Sequence, residues 1–266
     1  MKLTVIGGGN MGGAIVRGLV RSSLIKADDI TVIDRSPVPL EVLQKFNPKI
    51  NVASNNYESV EKADVIILAV KPWSITDVLI DIKFLLDYSK QMIVSVAAGI
   101  SIDEMNGALT KIHSEKQLPA VFRAVPNTAI AVKQSITLVA ASSNATDEQQ
   151  KAILNIFDKL GSSMLTDESK LPAGTALTSC GIAFFFRYVR AAVSAGVEMG
   201  FYPEEAQEMI VKTMLGAAKL LDETKNSPEA EIDKVTTPGG ITIKGMNELD
   251  ANGFSNAIIK AFKACR

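Results

Sequence analysis

Up to about residue 165, apolar residues fall in short runs separated by stretches of helical spacing. Residues 3–6, 30–33, 64–70 and 91–97 are nearly unbroken apolar runs, the pattern of central strands covered on both faces. Residues 120–125 and 135–141 predict two more strands, and 52–53 and 163–166 two short ones. Between them the spacing predicts helices over 13–20, 40–46, 57–62, 75–86 and 146–160. A further helix starts at Ser101, where Glu104 completes a capping box. Ser36-Pro37-Val38-Pro39 reads as a linker before the second helix, Asn47-Pro48 as its end, and Gly161 as the stop of the helix over 146–160. Strand–helix alternation with short connections predicts an open, mostly parallel, doubly wound α/β sheet.

After Glu168 the pattern changes. Residues 171–200 are rich in Ala, Gly and Ser, with bulky residues spaced for one long buried helix. Pro203 opens the next helix, which runs to about residue 224. A short helix over 229–234, a turn at Thr236-Thr237-Pro238-Gly239-Gly240, and helices over 242–251 and 254–263 follow. The chain thus divides into an α/β domain, residues 1–168, and a smaller all-α domain, residues 169–266. Roughly 100 residues of such helices make a thin core alone, so their apolar faces are expected to pair with a second subunit, as a dimerisation domain would.

The sharpest chemical signal is Gly7-Gly8-Gly9-Asn10-Met11-Gly12, which reads G-x-G-x-x-G between the first strand and the first helix. Gly7 permits the tight turn, Gly9 lets a pyrophosphate approach the backbone, and Gly12 allows helix and strand to pack closely. The helix N-terminus adds free N–H groups and a positive dipole end. The second strand ends in Asp34, about 20 residues past the last glycine, where an acid that binds ribose is expected. Strand, glycine turn, helix and acid together define a Rossmann-type dinucleotide site.

In such sheets ligands bind beyond the carboxyl ends of the strands. Those ends carry Asp34-Arg35-Ser36, Asn56, Ala69-Val70-Lys71-Pro72, Ala97 and Asn127. With Gly7, Gly9, Asn10, Met11 and Gly12 they are the candidate cofactor-binding residues. A second candidate site is Thr237-Pro238-Gly239-Gly240-Ile241-Thr242, a turn feeding a helix that exposes several backbone N–H groups. It suits a small carboxylate, and equally it suits a capped helix with no ligand.

Composition removes alternatives. Lys+Arg 28 against Asp+Glu 29 gives a net charge of −1, without a long basic run, which argues against a nucleic-acid partner. Cys180 and Cys265 are too few and too far apart in sequence for a disulfide framework or a metal cluster. The one histidine, His113, lies in the polar stretch His113-Ser114-Glu115-Lys116, so neither a histidine triad nor a zinc site is expected. Arg187, Arg190 and Glu198 interrupt the most membrane-like stretch, 181–200, and no signal peptide precedes the strand at residue 3. A cytoplasmic chain with reduced thiols and no membrane partner is the expectation.

The order Val235-x-Thr237-Pro238-Gly239-Gly240-x-Thr242 resembles the signature of the pyrroline-5-carboxylate reductase family. So do the glycine turn, Asn56, Ala69-Val70-Lys71-Pro72, Ser95-x-Ala97-Ala98-Gly99 and Arg123-x-x-Pro126-Asn127-Thr128. The resemblance covers nearly the whole chain. It implies NAD(P)H-dependent reduction of the cyclic imine 1-pyrroline-5-carboxylate to L-proline, a helical dimerisation domain, and a substrate site built from both subunits. It implies that Thr237, Gly239, Gly240, Ile241 and Thr242 bind substrate, with the Thr242 hydroxyl on the ring nitrogen as the catalytic contact. It leans toward NADPH, with NADH also accepted; Asp34 suits NADH, whereas Arg35 and Ser36 suit a 2′-phosphate. One segment departs: where the family has S-G-S-G-P-A-Y, this chain has Thr178-Ser179-Cys180-Gly181-Ile182-Ala183-Phe184. A β-hydroxyacid dehydrogenase is the rival enzyme, but it needs a lysine on the long helix and residues 171–200 contain none. A cofactor-binding sensor without turnover is the rival of another class, disfavoured by intact Thr237 and Thr242.

Overall fold

The computed structural model describes residues 1–111 and 118–265, so His113 lies outside the described residues. The chain forms two compact units, Met1–Ser179 and Cys180–Arg266.

The first unit is built on an eight-stranded sheet of order β3-β2-β1-β4-β5-β6-β7-β8. Its strands are β1 (Leu3–Ile6), β2 (Ile30–Asp34), β3 (Asn51–Ser54), β4 (Val65–Leu68), β5 (Met92–Ser95), β6 (Ala120–Val125), β7 (Ser135–Ala141) and β8 (Gly161–Leu165). All neighbouring pairs are parallel except β6 and β7. The order turns back at β1, with β2 on one side and β4 on the other, which opens a crevice at the carboxyl ends of these strands. β1, β4 and β5 are buried along their whole length. Two apolar clusters, one on each face, cover the sheet. Ile15, Leu19, Phe122 and Phe157 belong to one; Ile66, Leu79, Met105 and Val121 belong to the other.

The helices of this unit are α1 (Asn10–Ser22), α2 (Pro37–Phe46), α3 (Ile75–Ile82), α4 (Ile102–Leu109), α5 (Asp147–Asp158) and α6 (Leu171–Thr175). Helix α2 begins three residues earlier than the linker reading allows, because Pro37 occupies its first position, where a missing N–H costs nothing. The predicted capping box of α4 is formed by Ser101 and Glu104, and Thr146 with Gln149 forms another on α5. Helix α3 stops at Ile82, short of the predicted residue 86, and Gly161 opens β8 as well as ending the preceding helical stretch.

The first unit also extends past the expected boundary at residue 168. Leu171 is 1% exposed and packs in the same cluster as Ile102 and Leu138. A Cβ on Gly174 would lie 2.1 Å from Leu138, so α6 sits directly against the sheet. After α6 the chain makes a π-helical turn, Ala176–Cys180.

The second unit is all-helical: α7 (Gly181–Glu198), α8 (Pro203–Thr224), α9 (Pro228–Val235), α10 (Ile241–Ala251) and α11 (Phe254–Lys263). Helices α7 and α8 cross closely at Gly196, where a Cβ would lie 2.8 Å from that of Ala206. Phe184 and Phe262 meet edge to face at 5.0 Å. Among the described residues of this unit only Gly181, Gly196 and Ala206 are buried. The long apolar helix expected to be buried is therefore largely exposed in the single chain, with Phe185 and Phe186 60% and 69% open. Residues Glu168–Glu198 hold an 18-residue window of mean hydropathy 1.3, long and apolar enough to cross a membrane by length and composition. Cys180 and Cys265, distant in sequence, are neighbours in this unit; the hydrogen bond between their thiols, then burial, pushes the Cys265 thiol above its ordinary value.

Candidate functional site

The crevice beside β1 is a cleft of about 890 Å³. Gly7 makes the turn out of β1 at φ +105°, and a Cβ there would lie 2.6 Å from the Ala69 carbonyl oxygen. A Cβ on Gly12 would meet the Gly7 carbonyl at 1.9 Å, so the first turn of α1 lies directly on the glycine loop. A Cβ on Gly9 would meet nothing within 4 Å, leaving open space above the backbone. Gly9 is also the N-cap of α1, and no side chain caps that end. Its first N–H groups are free for an anion, which is what a pyrophosphate requires.

Of the candidate cofactor residues, Gly7, Gly9, Asn10, Met11, Asp34, Arg35, Ala69, Val70 and Lys71 line the cleft. Gly12, Ser36, Asn56, Pro72, Ala97 and Asn127 do not. Gly12 is buried beneath the cleft, as packing demands. Asn56 turns its side-chain oxygen to the Glu58 N–H at 2.8 Å, and its neighbour Asn55, left-handed at φ +54°, lines the cleft instead. Ala97 is 8% exposed and packs in the core, while Val96 faces the cleft. Ser36 occupies the N-cap position of α2 without a side-chain capping bond, and Pro72 starts a short 3-10 turn.

Asn127 is almost wholly buried. Its side chain accepts from the Ala129 N–H at 3.0 Å and donates to the Thr178 carbonyl at 2.9 Å. Arg123 pairs with Glu168 at 2.8 Å, and the same carboxylate oxygen accepts the Ile102 N–H at the start of α4. Both residues thus brace the connections after β6.

The far wall of the cleft comes from Tyr57 and from Asp77, Val78 and Asp81 on α3, none of which the sequence singled out. Residues 77, 78 and 81 share one helical face, a spacing visible in the sequence once α3 is placed. Burial raises the Tyr57 pKa, the nearby Asp81 charge raises it further, and Arg35 opposes both.

In the second unit, Thr237-Pro238-Gly239-Gly240 forms a tight turn. The Gly240 N–H donates to the Thr237 carbonyl at 3.0 Å, and Gly239 has φ +73°, with proline before it, as in a type II turn. A Cβ on Gly240 would lie 2.7 Å from the Thr237 hydroxyl oxygen and 3.0 Å from its carbonyl oxygen, so a larger residue there would displace the Thr237 side chain. Gly240 is the N-cap of α10 and no side chain caps it. The first-turn N–H groups of Ile241 and Thr242 are therefore open, and Ile241 is 86% exposed.

A doubly wound sheet with an uncapped glycine turn, followed by a helical unit, defines a two-unit NADP-dependent oxidoreductase. Residues 2–99 match a family described as NADP oxidoreductase, coenzyme F420-dependent, and residues 168–266 match one described as pyrroline-5-carboxylate reductase dimerisation. The chain belongs to the pyrroline-5-carboxylate reductase family. It is 37% identical to pyrroline-5-carboxylate reductase 2 of Dictyostelium discoideum, over 97% of this chain and 89% of that one. It is 39% identical to pyrroline-5-carboxylate reductase 1 of the same organism, over 97% of this chain, and there spans about half, 47%, of the relative's length. A solved pyrroline-5-carboxylate reductase from Coxiella burnetii has a TM-score of 0.90 and 29% identity, covering 99% of this chain and 95% of that one.

Proposed function

We propose that the chain reduces 1-pyrroline-5-carboxylate to L-proline, the last step of proline biosynthesis, with NADPH preferred and NADH accepted. The observation that carries the reading is the conjunction of two uncapped helix N-termini, one behind Gly9 in an open cleft and one behind Gly240 after a Thr-Pro-Gly-Gly turn. The first suits a pyrophosphate and the second a carboxylate. Bound in the cleft, NADPH supplies the hydride that reduces the C=N bond.

The chain's own residues bind and orient. The amides of Asn10 and Met11 hold the pyrophosphate, and Lys71 adds a positive charge at the carboxyl end of β4. The N–H groups of Ile241 and Thr242, with the turn at Gly239 and Gly240, take the substrate carboxylate. The Thr237 side chain buttresses that turn, and the Thr242 hydroxyl hydrogen-bonds the ring nitrogen and fixes its orientation. Acceleration comes mainly from positioning and electrostatics.

The exposed apolar faces of the second unit support a homodimer, or a multiple of dimers, in which these helices find their core. A cytoplasmic protein without nucleic-acid or membrane partners completes the reading. NADPH oxidation measured with 1-pyrroline-5-carboxylate tests it. Turnover with the imine is expected, and none when β-hydroxyacids are supplied with NADP+, the oxidised cofactor their oxidation requires. NADPH binding without turnover would support the sensor reading instead.

A further inference from the structure

The carboxylate at the end of β2 is already engaged. Asp34 Oδ2 accepts the Gly8 N–H at 2.7 Å, and Oδ1 accepts the Ser36 N–H at 2.9 Å. The first bond reaches into the middle of the glycine turn. The second is made at the N-cap of α2, where a negative charge is favoured by the helix dipole. Two backbone bonds reinforce the junction: the Gly7 N–H donates to the Ile33 carbonyl at 2.7 Å, and the Asn55 N–H to the Asp34 carbonyl at 3.3 Å. Hydrogen bonds to an ionised acceptor are about twice as strong as neutral ones. One on each oxygen also fixes the rotation of the carboxylate. The next residue, Arg35, is exposed, lines the cleft and forms no ion pair among the described residues.

We propose that Asp34 is a positioning residue: its carboxylate clamps the glycine turn in the shape that receives the diphosphate, and reading of the ribose 2′ position falls to Arg35. The inference rests on the cleft being the NADPH site. It reverses the usual division of labour, in which an acid at this place reads the ribose. It also explains how an aspartate tolerates a 2′-phosphate nearby, since its charge is spent on two backbone amides turned toward the fold.

The test uses the intact chain and two nucleotides that differ only at the 2′ position, NAD+ and NADP+, titrated by calorimetry into wild type, Asp34→Asn and Arg35→Ala. Asp34→Asn removes the charge and leaves one oxygen to serve two amides. It should weaken both nucleotides by the same factor, about tenfold or more. Arg35→Ala should weaken NADP+ alone. Phosphorus NMR supplies a signature that a general loss of stability would not give: in Asp34→Asn the bound diphosphate resonances should move, while the 2′-phosphate resonance stays. If Asp34→Asn does not fold, Asp34→Ser, whose hydroxyl accepts one amide, carries the same measurements. Weaker NAD+ with tighter NADP+ in the Asp34 variant would overturn the proposal, as would unchanged affinity for both. Wild-type protein binding neither nucleotide would overturn the cofactor reading itself.

Discussion

The side-chain amide of Asn127 donates to the carbonyl of Thr178, joining the end of β6 to the π-helical turn at Ala176–Cys180. A π-helical turn interrupts the regular i to i+4 ladder, and the Thr178 carbonyl takes this side-chain partner. Asn127→Ala leaves a part-buried carbonyl and the Ala129 N–H without their partners. The expected cost is about 1–3 kcal/mol of stability, read as a lower urea midpoint. An unchanged midpoint would show that the bond contributes nothing.

Gly9 and Gly12 should respond differently to the same substitution. Gly9→Ala adds a methyl where no protein atom lies within 4 Å, so the fold should keep its stability. The methyl occupies the space above the backbone, and NADPH affinity should fall at least tenfold, about 1.4 kcal/mol. Gly12→Ala drives a methyl to 1.9 Å from the Gly7 carbonyl oxygen and should lower both thermal stability and affinity. Equal thermal losses in the two variants would contradict the open space at Gly9.

Thr242 is the second residue of α10, exposed beside an uncapped helix end. Thr242→Val keeps the shape and removes the hydroxyl. kcat/KM for the imine should fall about 10- to 100-fold, roughly 1.4–2.7 kcal/mol of transition-state stabilisation. KM for NADPH should hold. Full activity in the variant would remove this residue from the chemistry.

Steady-state kinetics offer a separate reading of Arg35. Arg35→Ala should raise KM for NADPH at least tenfold, about 1.4 kcal/mol, and leave KM for NADH nearly level. A wild-type preference for NADH would be the contrary result.

Sedimentation addresses assembly. At micromolar concentration the chain should run as dimers or multiples of dimers, because apolar side chains such as Phe186 and Leu215 are 69% and 62% exposed on the single chain. A stable, active monomer would rule out the pairing.

The sheet was legible because its central strands are apolar on both faces, a pattern few other structures share. The glycine turn was legible because backbone geometry, not side-chain identity, limits Gly7 and Gly12. What escaped was direction and distance. Asn55 and Asn56 are indistinguishable in composition, and only the left-handed φ at Asn55 decides which one faces the cleft. Asp34 could be placed at the end of β2, but the amides occupying its oxygens come from residues 8 and 36, which the fold alone brings together. Pro37 looked like a linker because proline disfavours helix interiors, yet it starts α2. The π-helical turn has no periodic signature, so the stretch over 171–200 read as one regular helix. Its burial was misjudged for another reason: apolar spacing shows that a face needs covering and does not say by which chain.

The division between a unit with two apolar clusters and one that, among its described residues, buries only Gly181, Gly196 and Ala206 has a consequence during synthesis. The sheet unit leaves the ribosome first and meets all the partners it needs within itself. The helices that follow emerge with their aromatic faces bare, and the described residues of their own unit leave those faces exposed. In the proposed dimer the hazardous interval is the search for another copy, whose length is set by how many chains are being made nearby. Translation of several chains from one message would shorten that search, and sparse expression would lengthen the time in which aggregation competes.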